Sequence, residues 1–161
     1  MNITIRKEEE NDYKKVYEVN WLAFQQENES KLIEKIRNGE NFVPELSLVA
    51  EIDDDIVGHI LFSRIKIVGY SIFESLALAP MAVIPEFQKQ GIGAELIKKG
   101  IEKAKELGFY SIIVLGHKKY YPKFGFTRAS NWSIECPFEV PDEAFMAIEL
   151  TEKSFEDTAL S

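Results

Sequence analysis

Residues 72 to 107 constrain the fold of this chain more than any other stretch. An apolar extended run, Ile72 to Ile84, leads into Pro85-Glu86-Phe87-Gln88-Lys89-Gln90-Gly91-Ile92-Gly93-Ala94, and from Gly91 to Leu107 the pattern is helical. Ile92, Leu96, Ile97, Gly100, Ile101, Ala104 and Leu107 form the inward stripe, while Lys98, Lys99, Glu102, Lys103 and Glu106 take the wet side. Gly108 stands where a left-handed C-cap belongs. A strand that turns straight into a helix leaves the first helical N–H groups and the helix dipole aimed at one spot, which suits an anion. Gly91 and Gly93 remove the Cβ atoms that would hold a phosphate off the backbone, and Lys89 adds a local positive charge. Read by themselves, the same two glycines also suit a tight turn and nothing more. A dinucleotide fingerprint needs a third glycine where Leu96 stands, and no Gly-Lys-Ser/Thr phosphate loop occurs. Pro80, inside the extended run, donates no ladder hydrogen bond, so that strand must lie at an edge, be bulged, or part from a neighbour there.

The other elements fall around this unit. Asn2 to Arg6 alternates as a first strand. From Asn11 the residues Tyr13, Val16, Tyr17, Trp21 and Phe24 make a helical stripe, with Asn11 and Asp12 suited to its N-cap. A second helix begins near Ser30, with Leu32, Ile33 and Ile36 inward. Leu46 to Ile52 and Ile56 to Val68 are strands joined by Asp53-Asp54-Asp55, a hairpin pattern. Tyr110 to Leu115 is a strand, His117 to Tyr121 a short helical piece, Phe126 onward a strand, and Ala144 to Leu150 the last strand. The order β-α-α-β-β-β-α-β-α-β-β predicts a mixed α/β sheet with helices on its faces. We expect one domain over residues 1–151 and a polar C-terminal tail over 152–161.

Composition narrows the function. The 161 residues are 45% hydrophobic, enough for a real core. Nineteen Lys and Arg against 27 Asp and Glu leave a net charge of -8, and that field repels nucleic acid. Cys136 is the one cysteine, which excludes an internal disulfide and a multi-cysteine metal cluster. Asp53 to Asp55 lacks the spaced further ligands of a calcium loop, so no metal is expected. No apolar run approaches the roughly 20 residues that span a bilayer, and the first ten residues carry no secretory signal pattern. The expectation is a cytoplasmic protein without membrane or nucleic-acid partners.

The motifs then converge. Leu76-Ala77-Leu78-Ala79-Pro80-Met81-Ala82-Val83-Ile84-Pro85 followed by Gln88-Lys89-Gln90-Gly91-Ile92-Gly93 resembles the acyl-CoA-binding motif of the GNAT superfamily of N-acetyltransferases. Tyr121-Pro122-Lys123-Phe124-Gly125-Phe126 is similar to the family's second marker, a tyrosine shortly before Gly-Phe, and the element order agrees along the whole chain. The resemblance implies acetyl-CoA as co-substrate, with its pyrophosphate on the amides of Gln88, Gln90, Gly91, Ile92, Gly93 and Ala94, beside Lys89. It also implies a pantetheine arm that pairs with Met81, Ala82 and Val83 where the sheet splays, just past Pro80. The implied acceptor is a primary amine on a small molecule or peptide, attacking directly in a ternary complex. A homodimer is in keeping with the family.

Acetyl transfer needs a neutral amine, a stabilised oxyanion and a proton for the leaving thiolate. The resemblance makes Tyr121 the general acid, with Tyr120 the fallback and an aromatic core residue the plainer reading of either. A glutamate that serves some family members as base has Ala77 at its position here. That leaves Glu74, which strict alternation puts on the face opposite Ala77, and His117, which follows Gly116 at a strand end, as the candidate base or relay. Water with Tyr121 alone is the remaining option. His59 reads as a satisfied core or surface histidine, Cys136 as an inert thiol, and Trp21 and Phe24 as core residues, which the resemblance to the family would also set beside the acceptor pocket. A catalytically idle acyl-CoA-binding module on the same fold is the competing function.

Overall fold

A computed structural model describes residues 2–68, 72–152 and 154–155. Its strands are β1 (Thr4–Lys7), β2 (Phe42–Ile52), β3 (Asp55–Val68), β4 (Ile72–Val83), β5 (Ser111–Leu115), β6 (Thr127–Arg128) and β7 (Phe145–Glu149). The helices are α1 (Tyr13–Phe24), α2 (Asn28–Arg37) and α3 (Ile92–Glu106). The strands are hydrogen-bonded in the order β1-β2-β3-β4-β5-β7-β6. The β1–β2, β2–β3, β5–β7 and β6–β7 pairs are antiparallel, and β4–β5 is parallel. This is the expected mixed α/β fold with a mostly antiparallel sheet. Among the described residues no helix is long and apolar enough to cross a membrane.

The chain forms two compact units, Met1–Ser63 with Ala79–Lys103, and Arg64–Leu78 with Ala104–Ser161. In the first, Asp53 and Asp54 both take positive φ (51° and 65°) and reverse β2 into β3, as the acidic triplet predicts. Helix α3 lies close on β3 because two glycines allow it. A Cβ on Gly100 would stand 2.2 Å from Cε1 of the fully buried Phe62. A Cβ on Gly58 would meet Leu96 Cδ1 and the Ala82 carbonyl oxygen at 3.2 Å and Ile92 Cγ2 at 3.3 Å. The first turn of α3 is thereby pressed onto the strand layer. Gly108, with φ 87° and its N–H on the Lys105 carbonyl, ends the helix.

Two expected helix faces are rotated. On α1 the buried residues are Val16, Val19 and Asn20, whereas Trp21 and Phe24 are 42% and 37% exposed. On α2 Ile33 is buried and Leu32 is exposed, and Leu107 beyond α3 is likewise exposed. One residue along a helix turns the side chain by about 100°, so a broad apolar stripe does not say which edge faces the core.

The first unit also buries a polar cluster that the sequence does not announce. Arg37 Nη2 donates to Glu8 Oε2 at 2.8 Å, and the Arg37 guanidinium lies 3.8 Å from the Tyr13 ring centroid. Ser47 Oγ donates to Glu8 Oε1 at 3.0 Å and meets His59 Nε2 at 2.9 Å. The Ser47 proton is committed to Glu8, so His59 must donate from Nε2, leaving Nδ1 with only its lone pair. That Nδ1 is buried without a partner among the described residues, as is Asn20 Oδ1. His59 is fully buried, and burial reinforced by the Arg37 charge lowers its pKa to about 3. It is a neutral core histidine.

In the second unit, Ile67, Ile113, Ala129, Ile134, Ala147 and Phe155 share one apolar cluster. Phe155 is 2% exposed against Trp132, and its N–H donates to Glu149 Oε2 at 2.9 Å. Phe155, within the stretch expected as a polar tail, is a core residue.

Candidate active site

The first unit holds the phosphate-type turn. Ile84 donates to the Val57 carbonyl at 2.9 Å where β4 ends, and Pro85–Phe87 makes one tight helical turn. Two side-chain amides then brace the loop. Gln88 Nε2 donates to the Val83 carbonyl at 2.8 Å, and Gln90 Nε2 to the Glu86 carbonyl at 3.1 Å. Lys89 and Gly91 take positive φ, 62° and 86°, which reverses the chain into α3. A Cβ on Gly91 would meet nothing within 4 Å, so the space above this turn is open. Glu95 is the first helical residue whose N–H finds a carbonyl, that of Gly91 at 3.1 Å. The N–H groups from Lys89 to Ala94 have no acceptor among the described residues. Free amides, a helix dipole and an open approach make an anion cradle. One expected member is missing, because the Gln88 N–H already donates to the Pro85 carbonyl at 3.3 Å. Its side chain, by contrast, is a brace that spacing alone does not reveal.

The strand before the turn has a short parallel ladder. Parallel pairing between β4 and β5 comprises Leu76 with Ile112 and Ala77 with Ile113. Beyond these, β5 continues through Val114 and Leu115 with ladder partners on β7, Met146 and Phe145. Ser75 and Ser111, both buried, join hydroxyls at 2.7 Å and tie the strands together just ahead of the point where pairing stops. From Leu78 to Val83 β4 has no ladder partner recorded on β5 among the described residues. Pro80 lies in that stretch, where a missing donor costs little. Met81, Ala82 and Val83 follow it.

The second unit holds the titratable candidates. Tyr121 begins a tight turn, Tyr121–Phe124, closed by Gly125 at φ 103°. Its ring is 9% exposed and meets Tyr120 and Phe126 edge to face, with centroids at 5.2 and 5.8 Å. Burial pushes the phenol up to about 12, with the neighbouring Tyr120 adding to the effect. Tyr120 is half-buried, and burial raises it too. His117 is exposed, one turn before Tyr121, and its Nδ1 accepts the Lys119 N–H at 3.1 Å. Glu74, on β4, is also exposed, and no hydrogen bond joins it to Tyr121 or His117 among the described residues. The Tyr121 N–H donates to the His117 carbonyl at 3.4 Å, which holds those two candidates in one turn. Residues Met81–Val83 and Gln88–Ala94 are gathered in the first unit. No cluster of three metal-ligating side chains occurs among the described residues.

Comparison with known proteins bears on both halves. The sequence model of the acetyltransferase (GNAT) family matches residues 13–126. The Escherichia coli K12 protein named uncharacterized N-acetyltransferase YjhQ is 37% identical over 137 residues, 84% of this chain and 76% of its own. Its fellow from the same strain, uncharacterized N-acetyltransferase YhbS, is 28% identical over 131 residues, 81% of this chain and 77% of its own. The crystal structure of E. coli YhbS in complex with CoA superposes with a TM-score of 0.88 at 24% identity, covering 96% of this chain and 85% of that one. A GNAT family acetyltransferase from Brucella melitensis in complex with acetyl-CoA gives 0.77 at 27% identity, covering 93% and 89%. The chain belongs to the GNAT acetyltransferase family.

Proposed function

We propose that this chain transfers an acetyl group from acetyl-CoA to a primary amine by direct attack in a ternary complex. The observation that carries the reading is the run of unpaired amides from Lys89 to Ala94, set directly after a strand whose parallel pairing stops at Ala77. The amides suit a diphosphate, and the backbone of Met81 to Val83, without a ladder partner on β5 among the described residues, suits an amide-bearing pantetheine arm. The YhbS and Brucella structures are described as complexes with CoA and acetyl-CoA, which supports the same ligand here.

The chemistry follows from the groups available. A lysine-like amine has a pKa of ~10.4, so only about one molecule in 10³ is neutral at pH 7, and the acceptor gives up its proton to water before it attacks. Its nitrogen bonds to the thioester carbon, the tetrahedral intermediate gives up the second nitrogen proton to solvent, and collapse of its oxyanion breaks the C–S bond to leave amide and thiolate. The departing thiolate, near pKa ~8.5, is a weaker base than the phenolate of a tyrosine held at about 12. Tyr121 is therefore protonated when the step begins and donates a hydrogen bond to sulfur as charge builds there. The proton that finally rests on the thiol is drawn through this hydroxyl from water. The exposed His117 ring, whose Nδ1 accepts the Lys119 N–H, would relay the amine proton to solvent. The idle-module reading keeps one argument, the alanine at 77 where some relatives of this fold carry a glutamate. A panel of amines with acetyl-CoA, read by a thiol-reactive dye, separates the two: the enzyme liberates CoA and the module does not. Tyr121→Phe should lower kcat by about 10²-fold or more. Unchanged turnover in that variant removes Tyr121 from the mechanism.

A further inference from the structure

We propose that Gly116 is a positioning residue for Tyr121: its missing side chain is the seat on which the tyrosine ring rests, and that seat places the hydroxyl. The proposal rests on the proton-donor reading of Tyr121. A Cβ built on Gly116 would lie 2.2 Å from Tyr121 Cε2, 2.7 Å from Cδ2 and 3.2 Å from Cζ. No side chain fits there while the ring stays where it is.

Neither partner can move aside cheaply. The Gly116 N–H donates to the Ala144 carbonyl at 2.9 Å, which fixes the end of β5. The His117 carbonyl accepts from Tyr120 and Tyr121 at 3.0 and 3.4 Å, which fixes the turn that carries the tyrosine. Gly125 closes that turn, donating to the Pro122 carbonyl at 3.1 Å. Around the ring, Tyr120 and Phe126 stand edge to face at 5.2 and 5.8 Å. Among the described residues the positive-φ glycines are Gly91, Gly108 and Gly125, so Gly116 is not a glycine for backbone reasons. Its requirement is space, and the occupant of that space is Tyr121. Adding a methyl group at 116 must therefore swing the ring outward and carry the hydroxyl away from the sulfur it serves. A displacement of about 1 Å at a reacting group is enough to cost ~10² in rate.

The test is a cycle of Gly116→Ala and Tyr121→Phe, measured with acetyl-CoA and an accepted amine. We expect G116A to lower kcat by about 10²-fold while its KM for acetyl-CoA stays within about twofold, and G116A/Y121F to be no slower than Y121F alone. NMR of the protein carrying ¹³Cζ-tyrosine gives a readout free of turnover, with Tyr121 assigned by its loss in Y121F. In the unaltered protein the Tyr121 signal should not titrate through about pH 11, whereas in G116A it should titrate near the ordinary ~10. A Tyr121 signal unmoved by G116A, a wild-type kcat in G116A, or a double variant far slower than Y121F would each overturn the proposal alone. Wild-type kcat in Y121F would instead bring down the proton-donor reading and the kinetic half of this proposal with it. If G116A does not fold, G116A/Y121L decides: a folded double variant supports the seat, and an unfolded one overturns it.

Discussion

His59 makes the stability of this protein sensitive to mild acid, and the size of the effect follows from its surroundings. The ring is fully buried, donates from Nε2 to Ser47, and has only the lone pair of Nδ1 left to take a proton. The groups facing it are Ser47 on β2, the Glu8 carboxylate after β1 at 3.7 Å, and Arg37 on α2, whose 2.8 Å bond engages that carboxylate. With its pKa lowered from 6.5 to about 3, folded His59 refuses a proton that the unfolded chain accepts. The direction is then set. Stability is complete above pH 6.5, and it falls as pH drops from there toward 3 because protons favour the unfolded state. At pH 5 the unfolded histidine gains about 1.5 × 1.36, or about 2 kcal/mol, over the folded one. For a chain of this length that lowers Tm by about 4–8 °C. Asp12, held below the usual carboxylate range by Arg6, loses its contribution only below the ordinary aspartate pKa of ~4, so pH 5 to 7.5 isolates the histidine. Circular-dichroism melts at pH 7.5 and 5 for the wild type and His59→Gln check this. Glutamine keeps a donor near Nε2 and does not titrate. The variant should start less stable and lose at least 4 °C less over the interval. Equal losses in both proteins would refute the reasoning.

Three further outcomes follow from single positions. Gly91→Ala places a methyl group in the open space above the turn and strains a φ of 86° by about 1–2 kcal/mol. The protein should still fold, and calorimetry should find CoA bound about 10-fold more weakly; unchanged affinity would remove the turn from the binding site. Gly100→Ala drives a methyl group to 2.2 Å from Phe62 and should cost about 1–3 kcal/mol in urea unfolding, part of it recovered by adding Phe62→Leu. No recovery would mean the strain lies elsewhere. Glu74→Gln, at an exposed side chain with no hydrogen bond to Tyr121 or His117 among the described residues, should leave kcat within about twofold, whereas a 10²-fold loss would make Glu74 the base after all.

What could be read from the sequence was whatever a few neighbouring residues decide among themselves. The turn at 85–94 is of that kind: glycines, a proline and a helical stripe specify free amides at a helix start wherever they occur, and the structure supplies those from Lys89 to Ala94. The acidic reversal at Asp53 and Asp54 and the cap at Gly108 were legible for the same reason. The polar cluster was not. Glu8, Arg37, Ser47 and His59 are scattered over fifty residues, and nothing near each in the chain marks the four as one cluster, because what turns a charge into a core group is a partner elsewhere in the chain. Trp21 and Leu32 failed similarly, since the edge of a stripe that meets the core is chosen by the neighbouring layer.

Glycine shows the same division within one residue type. At 91, 108 and 125 it answers a local demand, a positive φ that most side chains resist. At 58, 100 and 116 it answers a distant one: Ile92 and Leu96 press on the first, Phe62 on the second and Tyr121 on the third. The symbol in the sequence is identical, yet substitution should report the difference. Alanine at a positive-φ glycine costs strain that no second change relieves. Alanine at a spacing glycine should be relieved by trimming its occupant, and at 116 the occupant is the residue assigned to assist the leaving sulfur.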